Sequence, residues 1–197
     1  AADELFATVD SLQRELRIMD IQDPLILSDT VGFIQNLPTT LIESFKSTLM
    51  VATKADLLIH VVDAATALPE MHINTVVNIL KQIDAKSNEI MVFNKIDKID
   101  KASLNQLKES YPQALFVSSL KNDGLDLLKD RIAEEIFGIV SLGSYQINPS
   151  KLDTVAKFGK ILNVKNESNY LVLELEMRDK LVDRLLNLKI MEKNINA

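Results

Sequence analysis

Asn94-Lys95-Ile96-Asp97 is the run whose residue types and spacing carry the most chemistry. A carboxylate such as Asp97 accepts from two adjacent donors at once. Guanine presents that pair on one edge, its ring N–H and its exocyclic amine, and adenine does not. A site built to pair a polar edge rejects an analogue lacking it by orders of magnitude. Asn94 is placed to reach the same edge and to tie the loop together. The Lys95 stem is placed to lie over a base plane. A polar turn after a buried strand would use the same residue types.

Two other runs extend this chemistry. Asp29-Thr30-Val31-Gly32 suits a metal–phosphate site. Asp29 would hold Mg²⁺ through water, and the Gly32 N–H would meet a terminal phosphate that a side chain would keep away. An Asx turn leading into a helix is the other reading of this run. Ser118-Ser119-Leu120 would offer backbone N–H groups to the guanine oxygen. In open α/β sheets ligands bind beyond the carboxyl ends of the strands. The three runs therefore share one edge if the strands before them are parallel.

Those strands are legible. Residues 56–62 are apolar without alternation, as in a parallel strand covered on both faces. Short strands are expected at 14–19, 24–28, 90–93 and 115–117. Helical spacing covers 39–55, 69–83, about 102–110 and 123–137, with Pro69 at a first turn and Gly138 as a stop. Beyond it come a strand at 142–147, a short helix at 149–157, and strands at 159–165 and 170–177 joined by a turn. A last helix is expected at 179–188, capped by Asp179. Residues 1–138 read as a mostly parallel α/β domain, and 139–197 as a small α+β domain.

Composition narrows the classes. The 197 residues are 47% hydrophobic and 25% charged, a globular balance that excludes a disordered chain. No cysteine is present, which excludes disulfides, thiolate metal sites and a cysteine nucleophile. Two histidines exclude a multi-histidine metal cage. His60 reads as a packed, hydrogen-bonded residue and His72 as a solvated one. A net charge of −6 gives no global reason to bind bare nucleic acid. RNA contacts would need local lysines such as Lys98, Lys101 and Lys108, or Lys151, Lys157, Lys160 and Lys165. No apolar run approaches the ~18 residues of a membrane span, so no stable membrane insertion is expected.

A G-x-x-x-x-G-K-[ST] phosphate loop would need two of the five glycines, at 32, 124, 138, 143 and 159. Only Gly138 and Gly143 have the spacing, and Ser144-Tyr145 stand where Lys-Ser/Thr is required.

D-T-V-G-F-I at 29–34, L-P at 37–38, S-F-K-S-T-L at 44–49, A-D-L-L-I-H-V-V-D at 55–63 and N-K-I-D at 94–97 together resemble the HflX family of ribosome-associated GTPases. The opening A-A-D-E-L-F-A-T-V-D is similar to the family's first switch segment, and V-S-S-L-K-N-D-G-L at 117–125 to its last guanine-side motif. The resemblance implies an α/β, P-loop GTPase-type sheet flanked by helices. Its central first strand and phosphate loop would precede Ala1, so the chain is expected to be part of a longer protein and weak or inactive alone. It implies GTP and GDP as ligands, Mg²⁺ as cofactor, cytoplasmic location and the large ribosomal subunit as partner. Thr8 would ligate Mg²⁺ with Asp29, and Gly32 would sense the γ-phosphate. Many GTPases follow this glycine with Gln to orient water. Phe33 stands there, so slow hydrolysis stimulated by a partner is expected. The alternative is a GTPase-like binding module without hydrolysis.

Overall fold

The computed structural model describes residues 13–18, 24–29 and 51–193. Two short strands come first, β1 (Gln13–Leu16) and β2 (Leu25–Ser28), paired in a sheet of their own. The apolar runs that follow become β3 (Leu57–Asp63), β4 (Asn88–Asn94) and β5 (Leu115–Phe116). They form one parallel sheet in the order β3-β4-β5. The parallel α/β reading therefore holds for this sheet.

The condition for one shared edge is not met among the described residues: the strand before Asp29 is not paired into the sheet that carries Asn94 and Ser118. Backbone pairing is the reason: β2 bonds to β1, and among the described residues β3 bonds only to β4. Among the described residues β3 is therefore an edge of this sheet, and Val61 on it is well exposed.

β4 is the central strand, and its sequence shows why. Ile90, Val92 and Phe93 are all buried, so both faces are covered. On one face Phe93 and Val62 pack with Ile73 and Ala64. The Phe93 ring lies 5.0 Å from Tyr111 and 5.3 Å from Phe116, centroid to centroid. Ile73 comes from α1 (Pro69–Gln82), which has Pro69 in its first turn. α2 (Lys101–Ser110) is capped by Asp100, whose side chain accepts from the Ser103 N–H at 2.8 Å. His60 is buried on β3 with Nδ1 2.7 Å from Glu89 Oε1, as a packed histidine requires. His72 departs from its reading: it is half-buried, with Nε2 3.4 Å from the Thr66 hydroxyl.

α3 (Leu125–Phe137) ends at Gly138, whose φ of +82° is the left-handed stop expected there. A Cβ on Gly138 would also lie 1.5 Å from Asp179 Oδ1, so a side chain here would displace Asp179 besides straining the backbone.

The remaining elements form a four-stranded antiparallel sheet of β6 (Val140–Ile147), β7 (Gly159–Asn166), β8 (Leu171–Arg178) and β9 (Met191–Lys193), in the order β7-β8-β6-β9. β8 alternates cleanly: Leu171, Leu173, Leu175 and Met177 are buried, while Glu174 and Glu176 face out. The β7–β8 turn is closed by the Glu167 N–H to the Tyr170 carbonyl, 3.0 Å. The short helix read at 149–157 divides into a 3₁₀ turn, Pro149–Lys151, and α4 (Leu152–Val155). α5 (Asp179–Asn187) sends Leu181, Val182 and Leu185 into the same core. Asp179 is not its cap. Arg178 holds that position, and Asp179 occupies the first turn, where a carboxylate suits the helix dipole.

By contacts the chain divides into two compact units, Ala1–Arg14 with Leu27–Ile132, and Glu15–Ile26 with Ala133–Ala197. No described helix is long and apolar enough to cross a membrane.

Phe93 is fully buried against two rings, so Phe93→Ala should cost about 3–5 kcal/mol of unfolding free energy, read by urea denaturation.

Candidate functional site

The ends of β4 and β5 bring two of the three chemical runs together. Parallel pairing reaches Phe93↔Phe116, and the Val117 N–H continues it to the Phe93 carbonyl at 2.8 Å. The next residues on the two strands are Asn94 and Ser118. From there side chains take over the bonding.

Asn94 ties the loops. Its Oδ1 accepts from the Lys95 N–H at 2.7 Å and from the Ser119 N–H at 3.1 Å. Its Nδ2 donates to the Ser119 hydroxyl at 3.1 Å. Both ends of the amide are therefore used across the β4–β5 junction. Lys95 turns left-handed, with φ +65°, a conformation most side chains avoid. The chain then enters a 3₁₀ turn, Ile96–Lys98, whose first N–H bonds to the Val117 carbonyl at 3.3 Å. This places Asp97 beside Ser118.

Ser118 is fully buried, and its hydroxyl donates to Asp97 Oδ1. That bond is the first cause holding the Asp97 carboxyl below its ordinary range, with Lys121 and Lys98 adding to it. Ser118 thus engages one Asp97 oxygen and favours the anion. The Ser118 hydroxyl also accepts from the Lys121 N–H at 3.2 Å.

The loop after Ser118 closes on itself. The Ser118 N–H donates to the Asp123 carbonyl at 2.9 Å, and the Asp123 N–H returns to the Ser118 carbonyl at 3.1 Å. Gly124 follows with φ +72°, where a Cβ would sit 2.5 Å from the Phe116 carbonyl oxygen. Only glycine permits that approach.

This geometry corrects one reading of 118–120. The Ser118 N–H is spent within the loop and is not available to a ligand. The Ser119 N–H already serves Asn94. Leu120 is exposed at the rim of the same loop. What the sequence did not disclose is the Ser118 hydroxyl as a partner of Asp97. A serine in that strand-end position, with an Asp one loop away, was the available signal.

Asp63 was also missed. It ends β3 opposite Asn94 in the register, and its Oδ2 accepts from the Lys95 ammonium at 2.7 Å. That bond is the main cause lowering its carboxyl below the ordinary range.

Asp29 is described and exposed, at the end of β2. Thr8, Gly32 and Phe33 lie outside the described residues, so their placement is not part of this geometry. Among the described residues no group of three or more His, Cys, Asp and Glu is gathered as a metal cage. Gly138 and Gly143 do not form a phosphate loop. One ends a helix, and the other lies inside β6, paired with Leu175.

Comparison with known proteins places this geometry in context. A family profile described as "50S ribosome-binding GTPase" matches residues 1–95. GTPase HflX of Escherichia coli (strain K12) is 32% identical over 170 residues, which is 85% of this chain and 40% of that protein. GTPase HflX of Methanocaldococcus jannaschii is 32% identical over 192 residues, 94% of this chain and 47% of that protein. A crystal structure of a mutation variant of SsGBP superposes with a TM-score of 0.51 and 27% identity, over 62% of this chain and 46% of that one. The chain thus spans less than half the length of each.

Removing the Ser118 hydroxyl isolates its effect on Asp97. In Ser118→Ala the Asp97 carboxyl should titrate higher, toward the ordinary ~3.9, by side-chain carboxyl NMR. The sign for stability follows: a depressed carboxyl stabilises the fold at pH above its unfolded value, and this is lost as pH falls through the folded value. The variant should therefore lose less stability than the parent on acidification. An unmoved Asp97 titration would remove the hydroxyl from this account.

Proposed function

We propose that this chain, which belongs to the HflX family of GTPases, reads guanine with the Asn94–Asp97 and Ser118–Leu120 loops and takes part in GTP hydrolysis. One observation carries the reading. The buried Ser118 hydroxyl donates to Asp97 and holds its carboxyl below the ordinary range, on a loop that Asn94 clamps to the neighbouring strand end. An ionised carboxylate is the acceptor that guanine's paired donors need. Lys95 covers the base with its stem, and the Leu120 N–H is available to the guanine oxygen.

The phosphate side rests on residues 8, 29 and 32. Thr8 and Asp29 offer hard oxygen donors, the type Mg²⁺ takes when one or two protein ligands share it with phosphates. Bound there, Mg²⁺ would neutralise phosphate charge. The donor set fits such a sparse protein contribution. The Gly32 N–H would sense the γ-phosphate. Phe33 carries no group to orient water, which suits slow hydrolysis stimulated by a partner.

That partner, on this reading, is the large ribosomal subunit, and the output is switch ordering that associates with and remodels ribosomes in the cytoplasm. The ribosome-binding description of the matched family supports it. We assign 1–138 to the GTPase domain and 139–197 to a small C-terminal domain.

The test uses the intact gene product. Asp97→Asn should weaken GTP binding by roughly 100-fold or more and favour xanthosine triphosphate, because the lost charged acceptor no longer matches guanine. Purified large subunits should accelerate GTP turnover by the parent protein. An unchanged base preference would overturn the guanine reading, and turnover indifferent to ribosomes would overturn the partner.

A further inference from the structure

We infer that Asp63 is a positioning residue of the base-reading loop: its carboxylate holds the Lys95 ammonium so that the lysine stem is set to cover the purine plane. The inference rests on the guanine reading above and deepens it.

Register makes the arrangement possible. β3 and β4 are parallel and end together, with Asp63 opposite Asn94. The last residue of β3 is therefore the lateral neighbour of the motif's first residue. The Ala64 N–H adds a bond to the Asn94 carbonyl at 2.8 Å, tying the two strand ends beyond the ladder.

The carboxylate is fixed from both sides. Oδ1 accepts from the Ala65 N–H at 2.9 Å, an Asx-type turn, and Oδ2 accepts from Lys95 Nζ at 2.7 Å. An exposed ion pair ordinarily contributes little, because two long side chains must be ordered to form it. Here Asp63 is short and already held by its own turn. Only the lysine is ordered, and it is the side chain whose freedom binding would otherwise remove.

The lysine also starts from an unfavourable backbone. Lys95 is left-handed, and its N–H is taken by Asn94. Its side chain leaves the strand end in a direction set by that turn, and Asp63 anchors the far end. Asp97 and Asp63 thus divide the work. Asp97 faces the base edge, and Asp63 acts on the base plane through Lys95.

That division is testable in the intact gene product by calorimetric affinities for GDP and inosine diphosphate. Asp63→Asn should weaken both to a similar extent, on the order of 3- to 10-fold, since stacking is indifferent to the exocyclic amine. Asp97→Asn should instead alter the ratio between bases. On a Lys95→Met background, which keeps the stem and removes the charge, Asp63→Asn should have no further effect. If Asp63→Asn folds poorly, Asp63→Ser replaces it, keeping an oxygen for the Ala65 N–H while removing the charge. Parent-like affinity in the single variant, or the same loss on the Lys95→Met background, would overturn the positioning role. A parent protein that binds no guanine nucleotide would overturn the underlying guanine reading instead.

Discussion

The structure depends on a handover at the ends of β4 and β5. Up to Phe93 and Phe116 the two strands are joined by backbone hydrogen bonds. Past that point the backbones must diverge to make a site, and a diverging backbone leaves polar groups unpaired. Asn94 and Ser118 replace the ladder with side chains, each bonding to the other strand's loop. The same bonds orient Asp97. On the guanine reading proposed above, cohesion and recognition share one network, so that a residue removed from it affects both.

The network works because what lies beneath it is rigid. Phe93 immediately precedes Asn94, has no exposed surface, and is held between Tyr111 and Phe116. A loop seated on such a strand inherits its position. Electrostatics then finishes the arrangement at the surface. Both signs of charge surround the loop, and each carboxylate is stabilised as an anion by a specific neighbour, Asp63 by Lys95 and Asp97 by the Ser118 hydroxyl with Lys121 and Lys98 in support. Low carboxyl values here come from hydrogen bonds to the charged form, with nearby cations in support.

The antiparallel unit solves a different problem. Its four strands bury one face against α5 and leave the other wet, which is why β8 alternates while β4 does not. Glycine use follows the same division. Gly138 ends a helix against Asp179, and Gly124 lets a loop return close to the Phe116 carbonyl. Neither position is explained by a phosphate ligand, although spacing alone pairs Gly138 with Gly143.

Much of this was legible in the chain itself. Continuous apolar runs marked β3 and β4, because burial on two faces leaves no alternation, and a polar turn marked the β7–β8 hairpin. Pro69 marked a helix start through its fixed φ, and Gly138 a helix end through its tolerance of the left-handed conformation. Asn94, Lys95 and Asp97 stood out as candidates because base-edge chemistry would need those groups within one short turn. The partnership of Ser118 with Asp97, and of Asp63 with Lys95, was not readable. Each joins residues on different strands, and strand register is a property of packing that no local pattern encodes. The placement of β2 outside the β3-β4-β5 sheet was hidden for the same reason. Local composition says that a stretch will be a strand. Which neighbour takes its hydrogen bonds is settled only when the faces find their cores.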